Sequence, residues 1–246
     1  MKLLRRTFLW AAFVFPAACL AGCGAGGSGP TAARSSTPTS TPAPTASAVV
    51  RVACVRDSIT FGIGTFEPLR DAYPLVVGRW LGSGFEVRNF GVSATTLLQA
   101  GALPYQQQSA FTQALRFKPN IVTIALGTND SAMTFDSALH LRFISDYKEM
   151  ISSFKKANAD VKVYVCLPIP SQPEDGQRNT MLVNDVIPCI EQVARDTGAQ
   201  VIDLHTPFVQ RPELYFDNLH PNNRGANLIA AQVYRALTGM DAPTAG

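Results

Sequence analysis

The feature that most constrains the fold is a run of mostly apolar, β-branched residues, 49–55, that gives way abruptly to the polar pair Asp57-Ser58. A run of this kind predicts a buried strand that ends in a turn. Open α/β sheets place their chemistry at the carboxyl ends of strands, so Ser58 is the candidate nucleophile. The alternative is that Ser58 only caps the helix that follows, because serine at a helix start is more often a cap than a catalyst.

The rest of the chain alternates between predicted strands and predicted helices. Apolar or alternating runs predict strands at residues 85–90, 121–126, 161–167 and 200–204. Apolar residues at helical spacing predict helices at residues 69–81, within 106–117, and at 137–157, 180–197 and 222–237. This order indicates an α/β fold, a three-layer α/β/α sandwich with a parallel sheet of about five strands. The polar residues after each strand then share one edge of the sheet.

The first residues have the pattern of a secretory signal peptide, predicted at residues 1–22. A positively charged start is followed by the apolar run 7–20 and by small residues. The segment Leu20-Ala21-Gly22-Cys23 resembles the bacterial lipobox, which implies cleavage before Cys23 and acylation of its sulfur. The alternative is an ordinary signal peptide with an incidental cysteine. With the lipobox, the mature protein is extracytoplasmic and lipid-anchored to a bacterial membrane, which is then one of its partners.

The chain divides into three regions of different composition, and the predicted signal peptide is the first of them. Residues 23–48 comprise the predicted acylated cysteine and a linker rich in Ser, Thr, Pro, Ala and Gly, which is predicted to be disordered because it has too few apolar residues to fold. Residues 49–241 form the predicted folded domain. The formal charge of +3 comes from Lys2, Arg5 and Arg6, since the other 18 basic residues match the 18 acidic ones. A near-neutral domain gives no support to nucleic-acid binding, and no oligomeric state is predicted.

The cysteines and the motifs that are absent limit the chemistry. Beyond the N-terminal region the chain has Cys54, Cys166 and Cys189, an odd number without a C-x-x-C pair. This argues against a disulfide framework and a zinc site, although a single disulfide remains open. The sequence has no G-x-S-x-G, H-E-x-x-H or P-loop motif. We therefore predict no metal and no cofactor.

Of the three histidines, His220 has the sequence context of a catalytic base. Asp217 precedes it by three residues, in a turn that leads into the last helix. A carboxylate so near could hold the imidazole in one tautomer and stabilise its charged form. The alternative is an Asx turn with an exposed histidine. His140 and His205 lie in a predicted helix and just after a predicted strand, where surface or structural roles are more common.

Four short segments carry most of these polar residues. They are 57–60 (Asp-Ser-Ile-Thr), 89–93 (Asn-Phe-Gly-Val-Ser), 127–130 (Gly-Thr-Asn-Asp) and 217–221 (Asp-Asn-Leu-His-Pro). In order and spacing they resemble the four blocks of the SGNH (GDSL-type) hydrolase superfamily, over nearly the whole folded domain. The resemblance implies a flavodoxin-like SGNH hydrolase fold and a serine esterase. Residues 71–74 and 117–120 resemble the branch of esterases that is linked to deacetylation of carbohydrates.

The resemblance assigns roles position by position. It implies that Ser58 is the nucleophile, His220 the general base and Asp217 its orienting carboxylate. It implies an oxyanion hole formed by the N–H groups of Ser58 and Gly91 and by the side-chain amide of Asn129, which suits the negative charge of a tetrahedral intermediate. The neighbouring Asp130 is expected to be structural.

One position departs from the family pattern, which has glycine where this chain has Arg56. We expect the Arg56 side chain either to reach solvent or to pair with Asp57. If the backbone there requires a positive φ, arginine is strained, and Arg56→Gly is expected to raise both stability and rate.

The predicted function is a membrane-anchored serine esterase that removes short acyl groups, acetyl above all, from a carbohydrate ester. The chain has no long apolar insertion that could cover a lipid chain. Two alternatives remain: a non-catalytic binding lipoprotein whose site is degenerate at Arg56, and a lipase, lysophospholipase or thioesterase on the same fold.

Overall fold

The computed structural model describes residues 48–172 and 176–243, which lie in one unit of the chain, Ala46–Gly246. The predicted signal peptide, Cys23 and all but the last residue of the predicted linker lie outside the described residues. No described helix is long and apolar enough to cross a membrane.

The centre of the domain is a parallel sheet of five strands. The strands are β1 (Val50–Val55), β2 (Phe85–Asn89), β3 (Ile121–Ile124), β4 (Lys162–Leu167) and β5 (Gln200–Asp203). Their order in the sheet is β2-β1-β3-β4-β5, and all four pairings are parallel. The predicted fold class is therefore confirmed.

Helices cover both faces of the sheet. They are α1 (Ser58–Phe61), α2 (Pro68–Asp71), α3 (Tyr73–Leu81), α4 (Ser109–Arg116), α5 (Ser137–Ala157), α6 (Gly176–Met181), α7 (Ile187–Thr197) and α8 (Asn223–Thr238). Apolar side chains of α4, α5 and α7 pack on one face, and those of α3 and α8 pack on the other. Strand β1 serves both layers, because Ala53 and Val55 point to the first and Val52 and Cys54 to the second.

Two predicted helices differ in detail from the observed ones, and in each case a helix of the structure begins next to a proline. The predicted helix 69–81 is two helices, and α3 begins at Tyr73 so that Pro74 lies in its first turn, where a missing N–H costs nothing. The helix predicted at 180–197 begins earlier, at Gly176, and passes through a π-helical turn, Leu182–Val186. Pro188 follows in the first turn of α7. The wider turn accommodates a proline that a continuous α-helix would not.

The three cysteines of the domain, Cys54, Cys166 and Cys189, are buried and have free thiols. Burial raises the pKa of Cys54 to about 11 and that of Cys166 to about 12. These thiols act as small apolar side chains in the core.

The strand order reverses between β1 and β3, because β1 has β2 on one side and β3 on the other. Open α/β sheets bind ligands at such a reversal, beyond the carboxyl ends of the strands. Ser58 follows β1 and Asn129 follows β3, so the fold places both beside this crevice.

Candidate active site

The turn after β1 presents the Ser58 hydroxyl without using it as a cap. Asp57 is the N-cap of the short helix α1, and its Oδ1 accepts the N–H of Ile59 at 3.0 Å. Gly62, with φ 109°, ends the helix in the left-handed conformation. The capping role that was the alternative for Ser58 therefore belongs to Asp57.

The loop before α8 holds His220 against Asp217. The Oδ1 atom of Asp217 accepts the N–H groups of Leu219 and His220, at 2.8 and 2.6 Å, which is an Asx turn. Its Oδ2 atom lies 2.8 Å from Nδ1 of the His220 ring. Partial burial acts to raise the pKa of Asp217, but these hydrogen bonds outweigh it and the pKa is lowered. The turn and the carboxylate–imidazole pair thus coexist, and the carboxylate stays ionised.

The two loops meet at Ser58. The Oγ atom of Ser58 lies 2.9 Å from Nε2 of His220. In the tautomer whose Nδ1–H donates to Asp217, Nε2 carries no hydrogen and accepts a hydrogen bond from the Ser58 hydroxyl. The His220 side chain is 18% exposed and Ser58 is buried. The residues are 162 positions apart in the chain, and the fold brings them into the arrangement that the sequence predicted for them.

Two of the three predicted oxyanion donors are free to act. The Ser58 N–H is at the first position of α1 and has no intrahelical partner. Asn129 uses one hydrogen of its side-chain amide to bond the carbonyl oxygen of Thr95, at 2.9 Å. A side-chain amide has two such hydrogens, so one remains for a substrate.

The third predicted donor, Gly91, requires a correction. Its N–H already donates to Oδ1 of Asn89, at 2.8 Å, and so is not free for a substrate oxygen. The structure gives this glycine a packing role instead, since a Cβ at position 91 would lie 2.3 Å from the backbone nitrogen of Phe61. The amide of Asn89 also donates to the carbonyl oxygen of Thr60, at 2.6 Å. Gly91 and Asn89 therefore fasten the loop after β2 to α1.

Ala94, in the same loop, was not singled out from the sequence. It has φ 63°, a conformation that is uncommon for a residue with a side chain. Its N–H has no hydrogen-bond partner within the described part of the chain. Nothing in the local sequence indicates a left-handed backbone at an alanine, and so only the structure could identify it.

Asp130 has the structural role expected for it. Its carboxylate accepts the N–H groups of Leu97 and Leu98, at 3.0 and 2.8 Å. Complete burial raises its pKa to about 6, even though both hydrogen bonds act to lower it. The contact joins the loop after β2 to the loop after β3.

Arg56 pairs with a carboxylate, which was one of the two predicted outcomes, but the suggestion of strain is wrong. Arg56 is not among the residues with positive φ. Its side chain is fully buried, with Nε 3.3 Å from Oδ1 of Asp57 and Nη2 donating to Oγ1 of Thr128 at 3.3 Å. The guanidinium thus pairs with Asp57, which precedes Ser58, and donates to the loop that carries Asn129.

The remaining histidines have other partners. Nε2 of His140 lies 2.8 Å from Oδ1 of Asp185, and Nδ1 of His205 lies 2.9 Å from the carbonyl oxygen of Pro168. Within the described residues, no cluster of three or more His, Cys, Asp or Glu side chains could hold a metal ion.

Comparison with known proteins identifies the family. A model of the GDSL-like lipase/acylhydrolase family matches residues 57–228, from the turn after β1 into the last helix. The chain belongs to this family. By family it is a carboxylic ester hydrolase.

One curated relative is an acetylxylan esterase of Xylanibacter ruminicola, which is 36% identical to this chain. The match covers 80% of this chain and 45% of the relative, so the chain spans less than half the length of that protein.

Solved esterase structures share the fold. An acetyl xylan esterase superposes with a TM-score of 0.61 at 20% identity, covering 76% of this chain and 100% of its own. A carbohydrate acetylesterase from Sinorhizobium meliloti superposes with a TM-score of 0.58 at 17% identity, covering 77% of this chain and 99% of its own.

Proposed function

We propose that this GDSL-type hydrolase removes acetyl groups from a carbohydrate through Ser58, His220 and Asp217. The observation that carries the proposal is the pair of contacts on the His220 ring: Ser58 Oγ at 2.9 Å from Nε2 and Asp217 Oδ2 at 2.8 Å from Nδ1. A serine hydroxyl is a weak nucleophile until a neighbouring base takes its proton. The ring supplies that base, and Asp217 fixes its tautomer.

The reaction has two halves in this arrangement. Ser58 Oγ attacks the ester carbonyl while His220 Nε2 takes the hydroxyl proton, and the imidazolium is stabilised by Asp217. His220 then gives the proton to the sugar oxygen as it leaves, which produces an acetyl-serine. A water molecule enters, loses a proton to His220 and attacks the acetyl carbon. His220 returns this proton to Ser58 Oγ as the bond between Oγ and the acetyl group breaks, so that acetic acid leaves and the Ser58 hydroxyl is restored.

The charge that develops on the carbonyl oxygen needs fixed donors. We assign the Ser58 N–H and the free amide hydrogen of Asn129 to this role, together with the Ala94 N–H, which takes the place predicted for Gly91. Ala94 has an unpartnered N–H and an unusual backbone conformation, and such conformations concentrate at functional sites. Each donor aimed at the oxyanion contributes about 3 to 4 kcal/mol to lowering the barrier.

The acyl and sugar specificity are supported by the acetylxylan esterase relative at 36% identity. We expect wild-type protein to hydrolyse p-nitrophenyl acetate and to lose activity steeply through butyrate to octanoate, because the sequence of the folded domain has no long apolar insertion that could cover a long acyl chain. Initial rates across this series, and acetate release from acetylated xylan, measure the preference. A preference for octanoate would favour the lipase or thioesterase alternative. No turnover on any ester would favour a binding protein.

We also propose that Cys23 anchors the protein to a membrane outside the cytoplasm. We expect Cys23→Ser to move the protein from the membrane fraction to the soluble fraction, or to block its processing, because the sulfur that carries the lipid is gone. Cys19→Ser changes the other cysteine of the same leader segment and is the matched control. Fractionation of full-length protein, followed by immunoblotting, distinguishes the two variants. Unchanged membrane association of Cys23→Ser would contradict the anchor.

A further inference from the structure

A cavity of about 630 Å³ lies beside the candidate active site without including it. Its described wall comes from the loop after β4, from the start of α6 with the π turn, and from the segment after β5. Residues on this wall that the argument uses are Gln172, Asn179, Val183, His205, Phe208 and Gln210. Ser58, Asp217 and His220 are not part of it. Its volume is within the range of sites that bind small organic ligands.

The spacing of the strands in the sheet gives the approximate distance between this cavity and Ser58. Its walls follow β4 and β5, which are the second and third strands from β1 in the sheet. Neighbouring strands are about 4.8 Å apart, so the ends of β4 and β5 lie roughly 10 and 14 Å from the end of β1. An acetyl group at Ser58 does not span this distance, whereas a chain of sugars does.

The wall of the cavity is hydrogen-bonded to the loop that carries Asp217 and His220. The N–H of Gln172 donates to the carbonyl oxygen of Asn218 at 2.8 Å, and Asn218 lies between Asp217 and His220. The Tyr215 hydroxyl donates to the carbonyl oxygen of Pro170 at 2.6 Å. A ligand in the cavity therefore lies against residues that are hydrogen-bonded to the loop that carries His220.

The polar atoms of the wall suit a neutral, hydroxyl-rich ligand. The Oδ1 atom of Asn179 is buried and has no hydrogen-bond partner among the described residues, and a buried acceptor of this kind is costly unless something donates to it. His205 uses Nδ1 on a backbone carbonyl, which leaves Nε2 as a second acceptor. Val183 and Phe208 supply apolar surface. No side chain on the described wall has a fixed charge, which disfavours an anionic ligand.

Gln210 adds an observation from the backbone. Its φ is 57°, and it is one of three described residues other than glycine with positive φ, along with Ala94 beside the nucleophile and Lys118. Conformations of this kind persist only where the surroundings require them, and they cluster at ligand sites. The wall of the cavity thus has a left-handed backbone residue of the kind also present at Ala94, in the loop after β2.

We propose that this cavity binds sugar units of an uncharged polysaccharide chain, at a distance from the acetyl ester that Ser58 cleaves. The proposal rests on the proposed function, because it takes the substrate to be a carbohydrate. Binding energy from remote sugars raises kcat/KM for the oligosaccharide, but it is not available to a small ester.

The test fills the cavity and compares two substrates. Val183 is 44% exposed, so Val183→Trp places an indole in the cavity without burying it in the core. We expect kcat/KM for an acetylated xylo-oligosaccharide to fall about tenfold or more, mostly through KM, as a contact of about 1.4 kcal/mol would require. Hydrolysis of p-nitrophenyl acetate is expected to stay within about twofold of wild type. The matched control is Val201→Trp, on β5, outside the cavity and 45% exposed.

Direct binding separates a failure of this proposal from a failure of the proposed function. Wild-type protein is titrated with unsubstituted xylo-oligosaccharide, which has no ester, and with an acidic oligogalacturonate of the same length. Binding of the neutral ligand that Val183→Trp abolishes and Val201→Trp keeps supports the cavity even if esterase activity is absent. No binding of the neutral ligand, equal binding of the acidic one, or equal losses on both ester substrates would overturn it.

Discussion

Replacement of Ser58 by alanine is expected to lower kcat/KM for p-nitrophenyl acetate about 10⁴-fold or more, with the fold intact. The Ser58 hydroxyl makes one side-chain hydrogen bond in the structure, to His220 Nε2, so its loss removes the nucleophile and little else. His220→Ala should cost nearly as much, because without the base the hydroxyl keeps its proton. The double variant should be no worse than either single one, since the two residues act as a unit. Asp217→Ala is expected to cost less, because the Ser58–His220 contact remains.

A second histidine–aspartate pair provides the control for this experiment. Nε2 of His140 lies 2.8 Å from Asp185, as Nδ1 of His220 lies 2.8 Å from Asp217, but among the described residues no serine is hydrogen-bonded to the His140 ring. His140→Ala should therefore keep full esterase activity. Steady-state kinetics on all variants, with circular dichroism to check the fold, decide the matter. Near-wild-type activity of Ser58→Ala would end the proposed mechanism.

Much of the fold and of the site could be predicted because the determinants are local. Strands β1 and β3 are mostly apolar runs, and each is followed within a few residues by polar side chains. Parallel strands bring their carboxyl ends to one edge, so Ser58 and Asn129 had to be neighbours once the sheet was predicted. Asp217 and His220 are three residues apart, and their contact required only a turn.

What could not be predicted depends on packing between distant segments. The Gly91 N–H is occupied by Oδ1 of Asn89, whose amide is held in turn by the carbonyl oxygen of Thr60 in α1, 29 residues earlier in the chain. The cavity beside β4 and β5 is shaped by three segments that have no common sequence motif. The π turn at Leu182–Val186 is likewise a response to the position of Pro188 in the whole helix.

Arg56 is the residue whose expected behaviour changes most once its surroundings are known. On sequence alone, Arg56→Gly was expected to relieve strain and raise both stability and rate. The structure shows no positive φ to relieve, and it shows a fully buried guanidinium 3.3 Å from the buried carboxylate of Asp57. Removal of one member of a buried ion pair leaves the other charge uncompensated, which costs about 3 to 5 kcal/mol. We now expect Arg56→Gly to lower the melting temperature.

The rate should fall as well, because Arg56 bonds two parts of the site. It pairs with Asp57, which caps the helix that starts at Ser58, and it donates to Thr128, beside Asn129. A shift of about 1 Å between nucleophile and oxyanion donors costs on the order of a hundredfold in rate. Arg56→Met, which keeps bulk and removes charge, should show this loss mainly in kcat, whereas Arg56→Lys should retain more of the rate.

Arg70 provides the matched control, since it also pairs with the aspartate that follows it but lies mostly in solvent. An exposed guanidinium contributes little to stability because water screens its charge. Arg70→Ala should therefore lower the melting temperature far less than Arg56→Ala, and it should leave kcat unchanged. Each variant removes an arginine that precedes its aspartate partner, but the Arg70 side chain is 64% exposed whereas that of Arg56 is fully buried. An Arg56→Gly protein with a higher melting temperature and a higher rate than wild type would contradict this prediction, because it would show that the buried pair lowers both stability and activity.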